Sequence, residues 1–251
     1  MNTLSKAKAK ELKSLSHKKI RDEQHLFIAE GEKCVLDTFN AFELEWLICT
    51  ENWLSKHEEI REVYRDKILL TDKRGIEIIS SLSSLPEVIA VFKKPAEEES
   101  IPELKPNILY LLLDEIQDPG NLGTIIRTCD WFGVYEIFAS KNTVDVYGSK
   151  VVQATMGSLS RVKVHYVDLK KLINANKELK VIGTLLEGKN LSEFQPGISG
   201  LLLMGNEGKG ISDELKQLID LPLTIPPVNL VSHPDSLNVA IATAVILSHL
   251  K

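Results

Sequence analysis

Cysteine is scarce in this chain. Its three thiols, Cys34, Cys49 and Cys129, stand far apart in 251 residues and form no CxxC pair. That argues against a disulfide framework and a zinc site, and fits a reducing cytoplasm. No metal is expected. Long apolar runs are also missing: none approaches the ~20 residues of a membrane span. The first residues are polar and lysine-rich, unlike a secretory signal, so a cytoplasmic protein with no membrane partner is expected. The chain has no GxxxxGK[ST] and no GxGxxG after a strand, which argues against a Walker nucleotide site and an ordinary dinucleotide-binding oxidoreductase. Positive charge is not in excess either. The net charge is −5, which by itself speaks against nucleic acid as a partner.

That charge is uneven, however. Residues 1–21 hold Lys6, Lys8, Lys10, Lys13, Lys18, Lys19 and Arg21 against Glu11 alone, a net of +6. Such a strip is either a solvated helix face or a set of phosphate contacts. The remaining composition, 43% apolar and 26% charged, is that of a globular protein of one large or two modest domains.

Residues 1–94 read as mixed α/β. A polar helix covers "KAKAKELKSLSHKKIRDE", a strand and helix follow in "LFIAEGEKCVLDTF", and "NWLSKHEEIREVY" reads as one helix. "LEWLICT", "KILLT" and "VIAVF" are short strands. The segment "KKPAEEESIPELKP" is a linker, placed at 95–106. Beyond it strands ("ILYLLLDEI", "EIFAS", "VKVHYV", "VIGTLL", "GLLLMG", "PLTIP") alternate with helical patterns, the mark of a parallel sheet covered on both faces. The last segment, "SLNVAIATAVILSHL", is an apolar helix, to be buried against the sheet or against a second subunit.

In such sheets ligands lie beyond the carboxyl ends of the strands, and three loops there are unusual. In "DPGNLGTIIRTCDWFGV", Asn121 and Gly123 read as a turn and Arg127 lies on the helix that follows. Arg127 is either a phosphate clamp with five donors in a fixed fork or a helix arginine paired with Asp130. "LLLMGNEGKGIS" puts Gly205, Asn206, Glu207, Gly208, Lys209 and Gly210 after a buried strand, where glycines admit close backbone approach. In "IPPVNLVSHPDSLNVAIATAV", Ser236 stands at the N-cap position, with Asn238 in the first turn. His233 is a weak candidate for a general base.

The order and spacing of these motifs, Asn-x-Gly-x-x-x-Arg, then strand-Gly-Asn-Glu-Gly, then Ile-Pro…Ser-Leu-Asn before a last helix, resemble the SpoU (TrmH-type) RNA ribose 2′-O-methyltransferases of the SPOUT superfamily. The resemblance covers residue 107 to 251. The third motif departs from the common pattern: "PVNLVSHPD", across 227–235, is longer and lacks a glycine, and Ala240 stands where many relatives have serine. Residues 1–94 resemble the family's small ribosomal-protein-like RNA-binding domain.

The resemblance implies an α/β fold with a C-terminal trefoil knot, and methyl transfer from S-adenosylmethionine to a ribose 2′-hydroxyl. It implies catalytic roles for Arg127, Asn121, Glu207, Ser236 and Asn238, with Arg127 facing the target ribose. It also implies a cofactor cradle of Thr184, Glu187, Gly188, Gly205, Ile225 and Leu237, and a homodimer through the C-terminal domain with its site near the subunit interface. The added domain favours ribosomal RNA over tRNA. The alternatives are a tRNA 2′-O-methyltransferase and a catalytically dead RNA-binding protein of ribosome assembly.

Overall fold

The computed structural model describes residues 2–96, 102–228 and 234–251. Along the chain the elements are β1 (Asn2–Thr3), α1 (Lys6–Ser14), α2 (Lys18–Gln24), β2 (Leu26–Glu30), α3 (Glu32–Phe39), β3 (Leu44–Cys49), α4 (Glu51–Leu54), α5 (Glu58–Val63), β4 (Ile68–Leu70), α6 (Lys73–Ile79) and β5 (Val88–Lys93). There follow β6 (Leu109–Leu113), α7 (Pro119–Trp131), β7 (Glu136–Ser140), α8 (Ser149–Thr155), β8 (Lys163–Val167), α9 (Leu169–Ala175), β9 (Val181–Asn190), β10 (Gly200–Met204), α10 (Asp213–Lys216), β11 (Leu221–Thr224) and α11 (Val239–Leu250).

The first five strands form one mixed sheet in the order β1-β4-β3-β5-β2, with β5 antiparallel to both neighbours. Phe27 and Phe92 of the sheet and Trp53 of α4 are the largest fully buried side chains of this part. The basic helix expected at the start is two helices. The carbonyls of Leu15 and Ser16, which a continuous helix would bond to its own N–H groups, accept instead from Nη1 of Arg21 (2.9 Å each). The helix expected over 52–64 is likewise broken at His57, whose backbone is non-helical and whose ring lies 4.1 Å from that of Trp53.

The other six strands form a sheet in the order β11-β9-β10-β6-β7-β8, parallel throughout. Every residue of β6 and of β10 is buried, as strands covered on both faces require. Helix caps follow local chemistry: Asp118 accepts from the N–H of Asn121 with Pro119 in the first turn, and Asp168 accepts from Lys171.

The chain divides into two compact units, residues 1–96 with 145–160, and residues 97–144 with 161–251. Two points differ from the sequence reading. Residues 102–106 of the expected linker are ordered parts of the second unit: Leu104 is buried, its N–H donates to Oδ1 of Asn176 (2.9 Å), and Lys105 N–H donates to the Tyr110 hydroxyl (3.0 Å). Residues 145–160, expected in the second unit, pack with the first. Asp145 accepts from Nε and Nη2 of the buried Arg21 (3.0 and 2.6 Å), and the ring of Tyr147 lies 4.9 Å from Phe27. Helical periodicity shows α8 as an element but not which core it covers.

All three thiols are buried and free, and burial pushes Cys34 and Cys49 up to about 11 and about 12. Among the described residues no cluster of His, Cys, Asp and Glu is disposed to hold a metal, and no helix is long and apolar enough to cross a membrane.

Candidate active site

The site is built at the carboxyl ends of β6 and β10 and at the start of α11. Asn121 and Gly123 do not form a turn: the helix already begins at Pro119, so both lie within α7. Asn121 sits in the first turn, its N–H satisfied by Asp118 Oδ1 (2.8 Å), which leaves its side-chain amide free to work elsewhere. Nδ2 of Asn121 donates to Oε1 of Glu207 (3.0 Å), and Oδ1 accepts from Nδ2 of Asn238 (2.8 Å). Asn238 Oδ1 in turn accepts from the N–H groups of Ala240 and Ile241. The N-cap of α11 is therefore Asn238 and not Ser236. A cap at 236 would need two further residues in helical conformation, and the helix opens only at Val239.

Glu207 gathers donors from the first loop. Besides Asn121, the N–H groups of Asp118 (3.2 Å) and Gln117 (3.3 Å) reach its carboxylate. Burial acts to raise its pKa, but the hydrogen bond from Asn121 and the backbone donors outweigh it and hold the carboxyl below its ordinary value. Asn206 fixes the loop behind it: Oδ1 accepts from Gly208 and Lys209, and Nδ2 donates to the carbonyl of Glu115 (2.7 Å). Glu115 holds that carbonyl in place from a left-handed backbone (φ 56°), a conformation a non-glycine residue keeps only when its surroundings require it. Its N–H bonds Ser140 Oγ and its carboxylate accepts from Asn142.

Around this Glu207–Asn121–Asn238 chain lies a cleft of about 500 Å³, lined by Gln117, Asp118, Asn121, Asn206, Glu207 and residues 236–239. Of the expected site residues it brings together Asn121, Glu207, Ser236, Leu237 and Asn238. Arg127 is not among its lining. Six residues on from Asn121, it lies about 120° away round the helix, on the exposed stripe Gly120, Thr124, Arg127, Trp131. Nor does it pair with Asp130, which binds Arg161 (2.7 Å). Among the described residues Arg127 has no hydrogen bond or ion pair.

Thr184, Glu187, Gly188, Gly205 and Ile225 also lie off this cleft. The Thr184 hydroxyl donates to Leu203 O within the sheet (3.2 Å). A Cβ at Gly205 would stand 2.3 Å from the backbone of Gly210 and Ile211, so the loop itself requires glycine there. A Cβ at Gly188 would meet the backbone of Pro222 and Leu223. His233 lies outside the described residues, as do 229–232 of the long third loop. Sequence reasoning missed Gln117, Asp118 and Asn206 as cleft residues. Asp118-Pro119 carried a legible signal, a cap residue followed by proline at the first helical position, and Glu115 carried none.

The SpoU rRNA Methylase family model matches residues 108–248, a span that includes every residue lining the cleft. The chain belongs to the SpoU rRNA Methylase family. Residues 6–90 match a second model, the MRM3-like substrate binding domain. The 23S rRNA (guanosine(2553)-2'-O)-methyltransferase RlmP of Bacillus subtilis is 30% identical over 247 residues, 97% of this chain and 96% of that one. Among solved structures, the AdoMet-bound rRNA methyltransferase from Sinorhizobium meliloti superposes with a TM-score of 0.86 at 28% identity, covering 98% of this chain and 95% of that one. The SpoU methyltransferase AviRb from Streptomyces viridochromogenes, in complex with the cofactor AdoMet, gives 0.85 at 25% identity over 97% and 96%.

Proposed function

We propose that this SpoU-family protein methylates a ribose 2′-hydroxyl of ribosomal RNA, using S-adenosylmethionine. The observation that carries the reading is the hydrogen-bonded chain Glu207–Asn121–Asn238, which draws all three family motifs to one cleft. The residues at the neighbouring strand ends fit the cofactor. β9 lies between β10 and β11, and the Thr224 hydroxyl donates to Leu186 O (3.0 Å), tying the end of β11 to the stretch of β9 where their pairing register shifts. Leu186 in that stretch (77% exposed), Leu237 before α11 (50%) and the half-buried Ile225 after β11 present apolar side chains as walls for a purine. Thr184, Glu187, Gly188 and Gly205 contribute backbone to that cradle. Bound there, the cofactor supplies an electrophilic methyl group.

The protein's own task is to place the hydroxyl and make it more nucleophilic. Ser236 and Asn238 position the ribose, while Glu207 and Asn121 hold the loops. Arg127 clamps the phosphate beside the ribose and stabilises negative charge as it grows on the 2′-oxygen. A guanidinium is too weak an acid to serve readily as a base. Because Arg127 faces away from the cleft of its own chain, the partner's Arg127 completes the site in a homodimer. α7 and the terminal helix supply the surface for it. α11 is not buried all round: Ile241 (53%) and Val245 (38%) are exposed, as is Trp131 (85%) on α7, apolar side chains of the kind an interface covers. The second unit carries the family's C-terminal trefoil knot, and the first unit contacts RNA as its ribosomal-protein-like domain. The protein works in the cytoplasm.

The test is methyl transfer from labelled S-adenosylmethionine to large-subunit rRNA transcripts, with the product mapped as a ribose methylation. A methylated nucleotide that disappears in the Glu207→Gln variant is the expected result. Cofactor binding without transfer to any RNA, large-subunit rRNA or tRNA, would leave the dead-domain reading in its place.

A further inference from the structure

The basic strip at 1–21 divides, in the folded protein, into cations that are used and cations that are not. Lys8 pairs with Glu11 (2.7 Å) and lies over the Trp46 ring. Lys13 donates to the carbonyls of Ile79 and Ser80 (3.4 and 3.1 Å). Lys18 pairs with Asp22 and Lys19 with Glu23, and Arg21 is buried on Asp145. Among the described residues only Lys6 and Lys10 of the seven have no hydrogen bond, ion pair or ring contact.

Those two share a flank. Residues 6, 10 and 13 recur at i, i+4 and i+7, one side of a helix, and the reach of Lys13 to the terminal carbonyls of α6 shows that this side faces α6. The helices also begin together: Leu4 N–H donates to Leu70 O (2.9 Å), and a Cβ on Gly75 would stand 3.2 Å from the Leu4 side chain. α1 and α6 therefore run side by side. In the first turn of α6, Arg74 is exposed and likewise without a partner among the described residues, and Ile78 one turn on is partly exposed. The nearby acids are otherwise placed. Glu11 is held by Lys8, Asp72 caps the Gly75 N–H, and Glu77 shares the far flank of α6 with Lys73, four residues before it.

We propose that this flank, carrying Lys6, Lys10 and Arg74, is where the protein holds the phosphate backbone of its RNA. The proposal rests on the reading above that the substrate is RNA. Three unneutralised cations on two packed helices repel one another and gain nothing from the fold, whereas phosphates on a strand neutralise all three. Lysines on long flexible stems suit phosphate as point charges. No aromatic side chain is among the exposed large hydrophobic residues described in this unit, so the surface lacks the stacking platforms that recognise bases. It grips the backbone irrespective of sequence.

The experiment compares the full chain with Lys6→Ala/Lys10→Ala/Arg74→Ala and with a charge control, Lys18→Ala/Lys19→Ala, which removes cations already paired. Binding of a large-subunit rRNA transcript is titrated over a range of salt concentrations. Each lost phosphate contact lowers the log–log salt slope by roughly 0.7 to 0.9, so the triple variant should lose about 2 to 3 from the slope while the control loses none. An unchanged slope in the triple variant, or an equal loss in the control, overturns the proposal. If the unaltered chain methylates RNA and only the slope result fails, this surface alone is wrong. If it neither binds nor methylates RNA, the functional reading fails with it.

Discussion

Replacing Glu207 by glutamine changes one atom of the carboxylate and tests the centre of the site. The groups that face the carboxylate are donors: Asn121 Nδ2 and Asp118 N–H on Oε1, Gln117 N–H on Oε2, and the backbone N–H of Glu207 itself. Glutamine keeps one acceptor and turns its other end into a donor that meets an N–H. At least one charge-assisted bond is lost, each of ~1.5–3 kcal/mol before allowance for solvent. With the site partly open to water, about 1–2 kcal/mol is a fair expectation, or a fall of roughly 3–6 °C in melting temperature for a chain of this size. A double-mutant cycle with Asn121→Ala should return a coupling of about 1 kcal/mol. The pH dependence has a definite sign. The folded-state pKa is lowered, so the wild-type advantage is full above the ordinary carboxylate value of about 4.3 and disappears as pH falls through the lower folded value. Calorimetric melting of both proteins between pH 3 and 8 measures it. Equal melting temperatures at neutral pH, or no coupling in the cycle, would refute the claim that Glu207 ties the loops together.

Two further outcomes follow from the geometry. Arg127→Ala should leave S-adenosylmethionine affinity nearly unchanged and cut methyl transfer by ~100-fold or more; mixing it with Glu207→Gln chains should restore activity through mixed dimers, and no restoration would place Arg127 in its own chain's site. Asp145→Ala leaves Arg21 charged and buried, so unfolding titrations should show a loss of about 3–5 kcal/mol, against less than 1 kcal/mol for Lys18→Ala, whose ion pair is largely exposed.

The strands were legible because β6 and β10 are unbroken apolar runs and because their alternation with helices admits few architectures. The motif residues Asn121, Glu207 and Asn238 were legible as members of a pattern. Their mutual contacts were not, since each spans 86 residues or more of chain. Arg127 shows the limit most clearly. Its residue type announces anion chemistry, but only the helical phase set by the cap at Asp118 shows that it points away from the cleft beside it. The basic strip overstates the free charge, because Lys18 and Lys19 pair with Asp22 and Glu23 just past its end and Arg21 with Asp145 far along the chain, where a local charge count does not reach.

The division of the first unit into 1–96 and 145–160 also sets a timetable for synthesis. The ribosome finishes the five-stranded sheet about 64 residues before it releases the end of the segment that covers it. At ~5–20 residues per second, that is a delay of roughly 3 to 13 s. Until then Arg21 has no carboxylate, and Phe27 and Cys34 lack the cover of Tyr147 and α8. During that interval the nascent chain presents an incomplete core, with apolar surface that the later segment alone covers.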